Sequence, residues 1–182
     1  MHPQLEAIAQ ELESASRRVE LLAGSASEEQ LRRRPVQGGW SASECVAHLN
    51  LATRAVLPTL DDALAHAQPA PGIPARMRLG LIGWLVWRGV RPDARMKART
   101  SAPFVPGGDQ AAEEVIAGFR ELQASLLERL RTADGKPIHR IRIVSPFSDR
   151  VRYSVFAAFS ILAAHEHRHL NQAERALAVT AA

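Results

Sequence analysis

A chain of 182 residues with 46% apolar and 23% charged content is long enough for one sizeable core and too apolar for a disordered segment. Its net charge of +4 comes mostly from arginine, but only Trp84 and Trp87 stand among the basic residues and no reading motif accompanies them, so nucleic acid is not an expected partner. One cysteine excludes an intramolecular disulfide and the first residues lack the pattern of a signal peptide, so a single cytoplasmic domain over 1–182 is expected.

From Pro3 to Ala23, Leu5, Ile8, Ala9, Leu12, Val19 and Leu22 recur at helical spacing, which predicts a helix with one buried stripe. His2, ahead of it, is expected to fray. Ser27 and Gln30 spell a capping box for a short second helix that ends before Pro35, and Gln37-Gly38-Gly39 reads as a turn. Ser41 and Glu44 spell a second capping box, with Trp40 and Cys45 placed for a hydrophobic staple. The helix begun there carries Val46, Leu49, Ala52, Val56, Leu60 and Leu64 to about His66, bent or loosened at Pro58.

After Pro69, Pro71 and Pro74 comes the most apolar stretch, Leu79 to Trp87, far shorter than the ~20 residues that cross a bilayer. Arginines flank it across Arg76–Arg91, so contact with a membrane surface is the weaker reading and a helix in the core or at a dimer contact the stronger. Arg32-Arg33-Arg34 and the spread Arg88, Arg91, Arg95, Lys97 and Arg99 read as solvated faces. Pro103, Pro106, Gly107 and Gly108 mark a loop, and Asp109 is the expected cap of a helix carrying Val115, Ile116, Phe119, Leu122, Leu126, Leu127 and Leu130. Pro137 to Arg152 reads as loop, because a single strand through Ile141 and Ile143 has no partner. A last helix runs from about Ser154 to Ala178. Four long helices, one or two short ones and no strand pairs predict an all-α antiparallel four-helix bundle.

The last helix contains His165-Glu166-His167-Arg168-His169, which places two imidazoles one turn apart on one face and spells the H-E-x-x-H of zinc proteases. The protease reading fails. Gln172 and Arg175 stand where its extended form has Gly and His, and Glu174, on the same helix, cannot easily complete a tetrahedron with the pair. A third ligand, if there is one, comes from upstream. His2, His66 and His139 lie at a terminus, a breaker cluster and an irregular stretch; His48 alone lies inside a well-initiated helix.

Ala158, Leu162, His165, His169, Gln172 and Ala176 advance in steps of three and four, so the histidine pair belongs to one continuous face. Three neutral imidazoles leave the charge of a divalent ion uncompensated and at least one position open, a centre that favours anions and activates water or a thiol. Glu166, about 100° from His165 on the wheel, reads as a surface salt-bridging residue rather than a base. Cys45 reads as a staple residue rather than a fourth ligand, and Gln172 as an orienting neighbour or an ordinary polar residue.

Gly39-Trp40-Ser41, Glu44 and His48-Leu49, together with His165-x-x-x-His169-Leu170-x-Gln172, the Met96-Lys97-Ala98 to Pro106 segment and Ser145-Pro146-Phe147, make the chain resemble the DinB-like superfamily over nearly its whole length. The resemblance implies a four-helix bundle, often dimeric, with His48, His165 and His169 binding a divalent metal such as zinc or nickel; His167 is not among the ligands. Relatives of that family include thiol S-transferases and a thiol-dependent maleylpyruvate isomerase. It therefore implies a metal-dependent enzyme of thiol-transferase or hydrolase type, acting on a small molecule with a low-molecular-weight thiol as possible co-substrate. No protein general base can be named from the sequence. The rival reading is a non-catalytic, stress-related dimer that binds metal or a small ligand.

Overall fold

Capping chemistry fixes where the first helices begin. The computed structural model describes residues 1–94 and 100–180, so Arg95, Lys97 and Arg99 of the basic spread and Met96-Lys97-Ala98 of the family-like segment lie outside the described residues. Helix α1 (Pro3–Ser25) starts at His2, whose ring accepts from the Gln4 amide and whose own backbone amide donates to Asp134 at 2.8 Å; the terminus is tied down rather than frayed. Both capping boxes form, opening α2 (Glu28–Arg32) at Ser27 and α3 (Ala42–Ala65) at Ser41, and α3 continues through Pro58. Helix α4 (Gly80–Val90) follows the proline-rich break, and a 3-10 turn spans Ala102–Phe104.

Two expectations about the second half are corrected. Helix α5 (Ala112–Thr132) is preceded by Ala111, not capped by Asp109; the Ala112 amide donates to the Glu28 carboxylate at 2.8 Å, so the cap comes from α2 across the fold. The stretch expected as loop forms an antiparallel hairpin, β1 (Arg142–Ser145) and β2 (Ser148–Ser154), with Ile143 opposite Tyr153 and a bulge between Val144 and Ser145. The missing partner lay within the same stretch. Asp149, Arg150 and Arg152 dilute β2, leaving only Val151 and Tyr153 as its apolar alternation. Helix α6 (Val155–Thr180) leaves the hairpin directly: Val155 and Phe156 amides donate to Ile141 and Ile138 carbonyls, and the Ala157 amide to the Ser154 hydroxyl.

The fold is mostly helical. Helix α3 packs on α5 and α6, α1 packs on the same two, and α4 lies against α6 and β2. Apolar side chains gather in two clusters, one around Leu12, Leu60, Leu126 and Phe159, the other around Val19, Leu49, Phe119 and Leu170. The first takes the early halves of α1 and α6 and the late halves of α3 and α5, and the second takes the reverse. So α1 and α6 run one way and α3 and α5 the other, and α3 and α5 are parallel neighbours rather than antiparallel ones. The long connection through α4 is what permits this.

Between the clusters, on the same helices, lie the buried polar residues Asn50, Thr53, Gln123, Glu166 and His169. A polar group in such a place is costly unless it is hydrogen-bonded or has a ligand to meet. This level of the fold holds the candidate site.

Candidate metal centre

His48 stands on the second turn of α3, where the start of the helix is held twice over. Glu44 accepts from the Ser41 amide at 2.9 Å and from the Arg34 guanidinium at 2.8 Å, so the capping carboxylate is also half of an ion pair. Burial alone would raise the Glu44 pKa, but the bonds from Arg34 and Ser41 outweigh it and hold the carboxyl below its ordinary value. His165 and His169 stand one turn apart on α6, and the packing of α3 against α6 brings them to His48.

The three rings converge. One nitrogen from each lies within 4.8 Å of the other two, and Nε2 of His48 is 3.3 Å from Nε2 of His165. Two nitrogens bound to one zinc ion at ~2.05 Å with tetrahedral angles stand about 3.3 Å apart. Ring centroids are 4.4 Å apart for His48 and His169, and 4.5 Å for His165 and His169. Nδ1 of His48 is 2.8 Å from the Phe104 carbonyl, which can only accept, so Nδ1 carries the proton and Nε2 presents its lone pair inward. Trp40 covers the cluster, its ring 4.9 Å from His48 and 5.9 Å from His169. The donor set and spacing fit a divalent cation.

Burial sets the protonation state. It lowers the pKa of His48 against the opposing bond to Phe104, drives His165 well below the ordinary value with help from its two neighbours, and takes His169 down to about 3. For His169 the nearby His48 and Arg168 add to the effect and a hydrogen bond with Gln172 opposes it. All three are neutral at pH 7, the form that ligates.

A cavity of about 970 Å³ opens over the cluster. It follows α6 from Ala158 to Val179, walled by Val90, Phe104, Phe147, Tyr153 and Leu162 on one side of the histidines and bordered by Gln172 and Arg175 on the other. Among the described residues lining it there is no Asp or Glu. An anionic group meets no like charge there.

The remaining candidates lie elsewhere or act otherwise. His167 contacts Arg18 at 3.0 Å and lies 2.8 Å from Glu11, and Glu174 pairs with Arg18, so neither joins the cluster. His66 is exposed, and His2 serves as a cap. Cys45 is buried in the apolar cluster that Trp40 packs on, and burial pushes its thiol up to about 12. Gln172 borders the cavity beside His169, in an orienting position.

Glu166 is the clearest correction. It is 1% exposed rather than a surface residue, and accepts a 2.6 Å hydrogen bond from the Gln123 amide. Burial, only partly opposed by that bond, pushes its carboxyl up to about 8. A helix enclosed on several sides has more than one buried face, so 100° away from the histidines is still inside, toward α5.

Sequence reasoning also missed the Phe104 carbonyl and Arg168, which donates to the Gly89 and Arg91 carbonyls and ties the end of α4 to α6. A backbone acceptor leaves no mark in a sequence. An arginine inside H-E-x-x-H reads as solvated until the fold places carbonyls around it.

A model of the DinB superfamily matches residues 11–173, a span that takes in all three histidines. The comparisons with curated proteins and with solved structures found no match.

Proposed function

The chain belongs to the DinB superfamily, and from that premise we propose that it holds a divalent cation, zinc or nickel, between His48, His165 and His169 and uses it for thiol transfer or hydrolysis on a small-molecule substrate. The observation that carries the reading is the 3.3 Å approach of two Nε2 atoms, with a third imidazole beside them, under an open cavity. A divalent ion in that position supplies Lewis acidity at an open coordination site and brings a thiol or water into nucleophilic form near neutral pH. On this reading the four long helices form a four-helix bundle, the chain is one cytoplasmic domain acting as a homodimer, and a low-molecular-weight thiol is the co-substrate.

The chain's own residues do three things in this scheme. Phe104 fixes the ring of His48 with its lone pair inward. The apolar wall of Val90, Tyr153 and Leu162 receives the uncharged part of a substrate and excludes water from it. Arg175, at the cavity border, attracts an anionic group. Glu166 does not line the cavity, so no proton is drawn from it.

One observation favours the rival reading, a non-catalytic bundle that binds metal or a small ligand. The described cavity lining offers no carboxylate to serve as a general base. Elemental analysis of protein purified without a His-tag tests the metal centre: the wild type is expected to hold about one divalent ion per chain and His165→Ala none. Unchanged metal content in that variant refutes the assignment. A screen of electrophiles with low-molecular-weight thiols, with and without added metal, then separates the readings; metal bound without any turnover selects the rival.

A further inference from the structure

Helix α4 (GLIGWLVWRGV) carries one charge in eleven residues and is apolar nearly all round. Such a helix is stable when enclosed. Here enclosure is one-sided, only partly meeting the expectation of a core helix. A Cβ added to Gly83 would stand 2.7 Å from that of Ala157 on α6, which shows how closely that side is pressed down, and Val86, Gly89 and Val90 border the histidine cavity. On the other side Leu81, Ile82, Trp84 and Leu85 are 72%, 41%, 43% and 51% exposed. Spacing of one, three and four places them on one face.

Basic residues surround that face. Arg76, Arg78 and Arg88 are exposed and make no ion pair among the described residues, and the Arg88 guanidinium lies 5.8 Å from the Trp84 ring. A groove of about 1140 Å³ beside α4 is lined by Arg76, Arg78, Trp84 and Trp87. The acidic groups nearby are engaged: Glu11 lies 2.8 Å from His167, and Asp93 pairs with Arg91 at 3.0 Å.

We propose that α4 docks the protein on an anionic lipid bilayer, with Leu81, Trp84 and Leu85 entering the interface and Arg76, Arg78 and Arg88 meeting lipid phosphates. Apolar side chains and exposed arginines on one surface are matched by the acyl boundary and headgroup layer of such a membrane. A second copy of the chain fits less well, because a two-fold contact sets one group of arginines against the other. A nucleic acid satisfies the arginines and leaves the leucines uncovered. No helix among the described residues is long and apolar enough to cross a bilayer, so the contact is at the surface. The docking surface is independent of whether the histidines hold metal.

Flotation of the full chain with vesicles tests this, using equimolar phosphatidylglycerol and phosphatidylcholine against phosphatidylcholine alone. The wild type is expected to float at least about tenfold more with the anionic vesicles, less as salt rises. Arg78→Glu is expected to weaken binding by about fivefold or more, and Leu81→Glu/Leu85→Glu to abolish it; circular dichroism checks that these exposed substitutions leave the fold intact. Equal binding to both vesicle types, no binding to anionic ones, or undiminished binding of a folded Leu81→Glu/Leu85→Glu variant overturns the proposal. So does a solution dimer that this variant dissociates, if the wild type ignores vesicles.

Discussion

Nδ1 of His48 and the carbonyl oxygen of Phe104, 56 residues apart in the chain, are 2.8 Å from one another. Because a carbonyl only accepts, the ring is locked as the Nδ1–H tautomer before any ligand arrives. Long-range proton–nitrogen correlation spectra at pH 7 are therefore expected to show a His48 Nδ1 that carries a proton and an Nε2 that does not. Observation of the reverse tautomer in the metal-free protein contradicts this geometry.

The neutral triad predicts an unusual pH dependence. Three histidines with ordinary values near 6.5 lose about tenfold each in metal affinity one pH unit below that value, about a thousandfold together. Here burial has lowered all three, His169 to about 3, so protons compete poorly in the folded state. Zinc affinity measured by competition with a chelator is expected to fall by less than about tenfold between about pH 7.5 and 5.5. A thousandfold fall contradicts it. The cost appears in stability instead: the folded values are depressed, so the unfolded chain takes up protons first. The three histidines' contribution to the stability of the metal-free protein is full above about pH 6.5 and is lost as pH falls toward 3.

Glu166 works in the opposite direction. Its folded pKa of about 8 lies above the ordinary 4.5, so the folded state keeps a proton that the unfolded chain releases. Its contribution is intact below pH 4.5 and is lost as pH rises toward 8, at no more than about 1.4 kcal/mol per pH unit. Glu166→Gln keeps the shape and an acceptor for Gln123 without the titration. Its melting temperature is expected to rise relative to the wild type between pH 5 and 8.5, while the histidine effects cancel in the difference. A constant difference across that range would show that the carboxyl is not held protonated.

Gly83 predicts a steric effect. Alanine normally gains about 1 kcal/mol over glycine inside a helix. At position 83 the new methyl would stand 2.7 Å from the Cβ of Ala157, and overpacking of that kind costs about 1–3 kcal/mol. Gly83→Ala is expected to lower stability in urea unfolding despite the gain in propensity. A more stable variant would mean that α4 lifts off α6 freely.

Much of this molecule is written locally. Ser27, Gln30, Ser41 and Glu44 set two helix starts because a capping box closes within four residues, and the apolar stripe from Leu5 to Leu22 marks α1 by periodicity alone. His165 and His169 share a face because they share a helix. These features need no knowledge of what lies across the fold.

The rest was decided by packing. His48 reaches His165 across 117 residues only because α3 lies against α6, and nothing in either segment states that distance. The cap of α5 by Glu28, the shared direction of α3 and α5 and the burial of Glu166 each depend on a partner from a distant segment. Sequence specifies which groups a residue carries and which way the chain is biased over a turn or two. Which of those groups lose their water, and what then faces them, is settled when the helices come together.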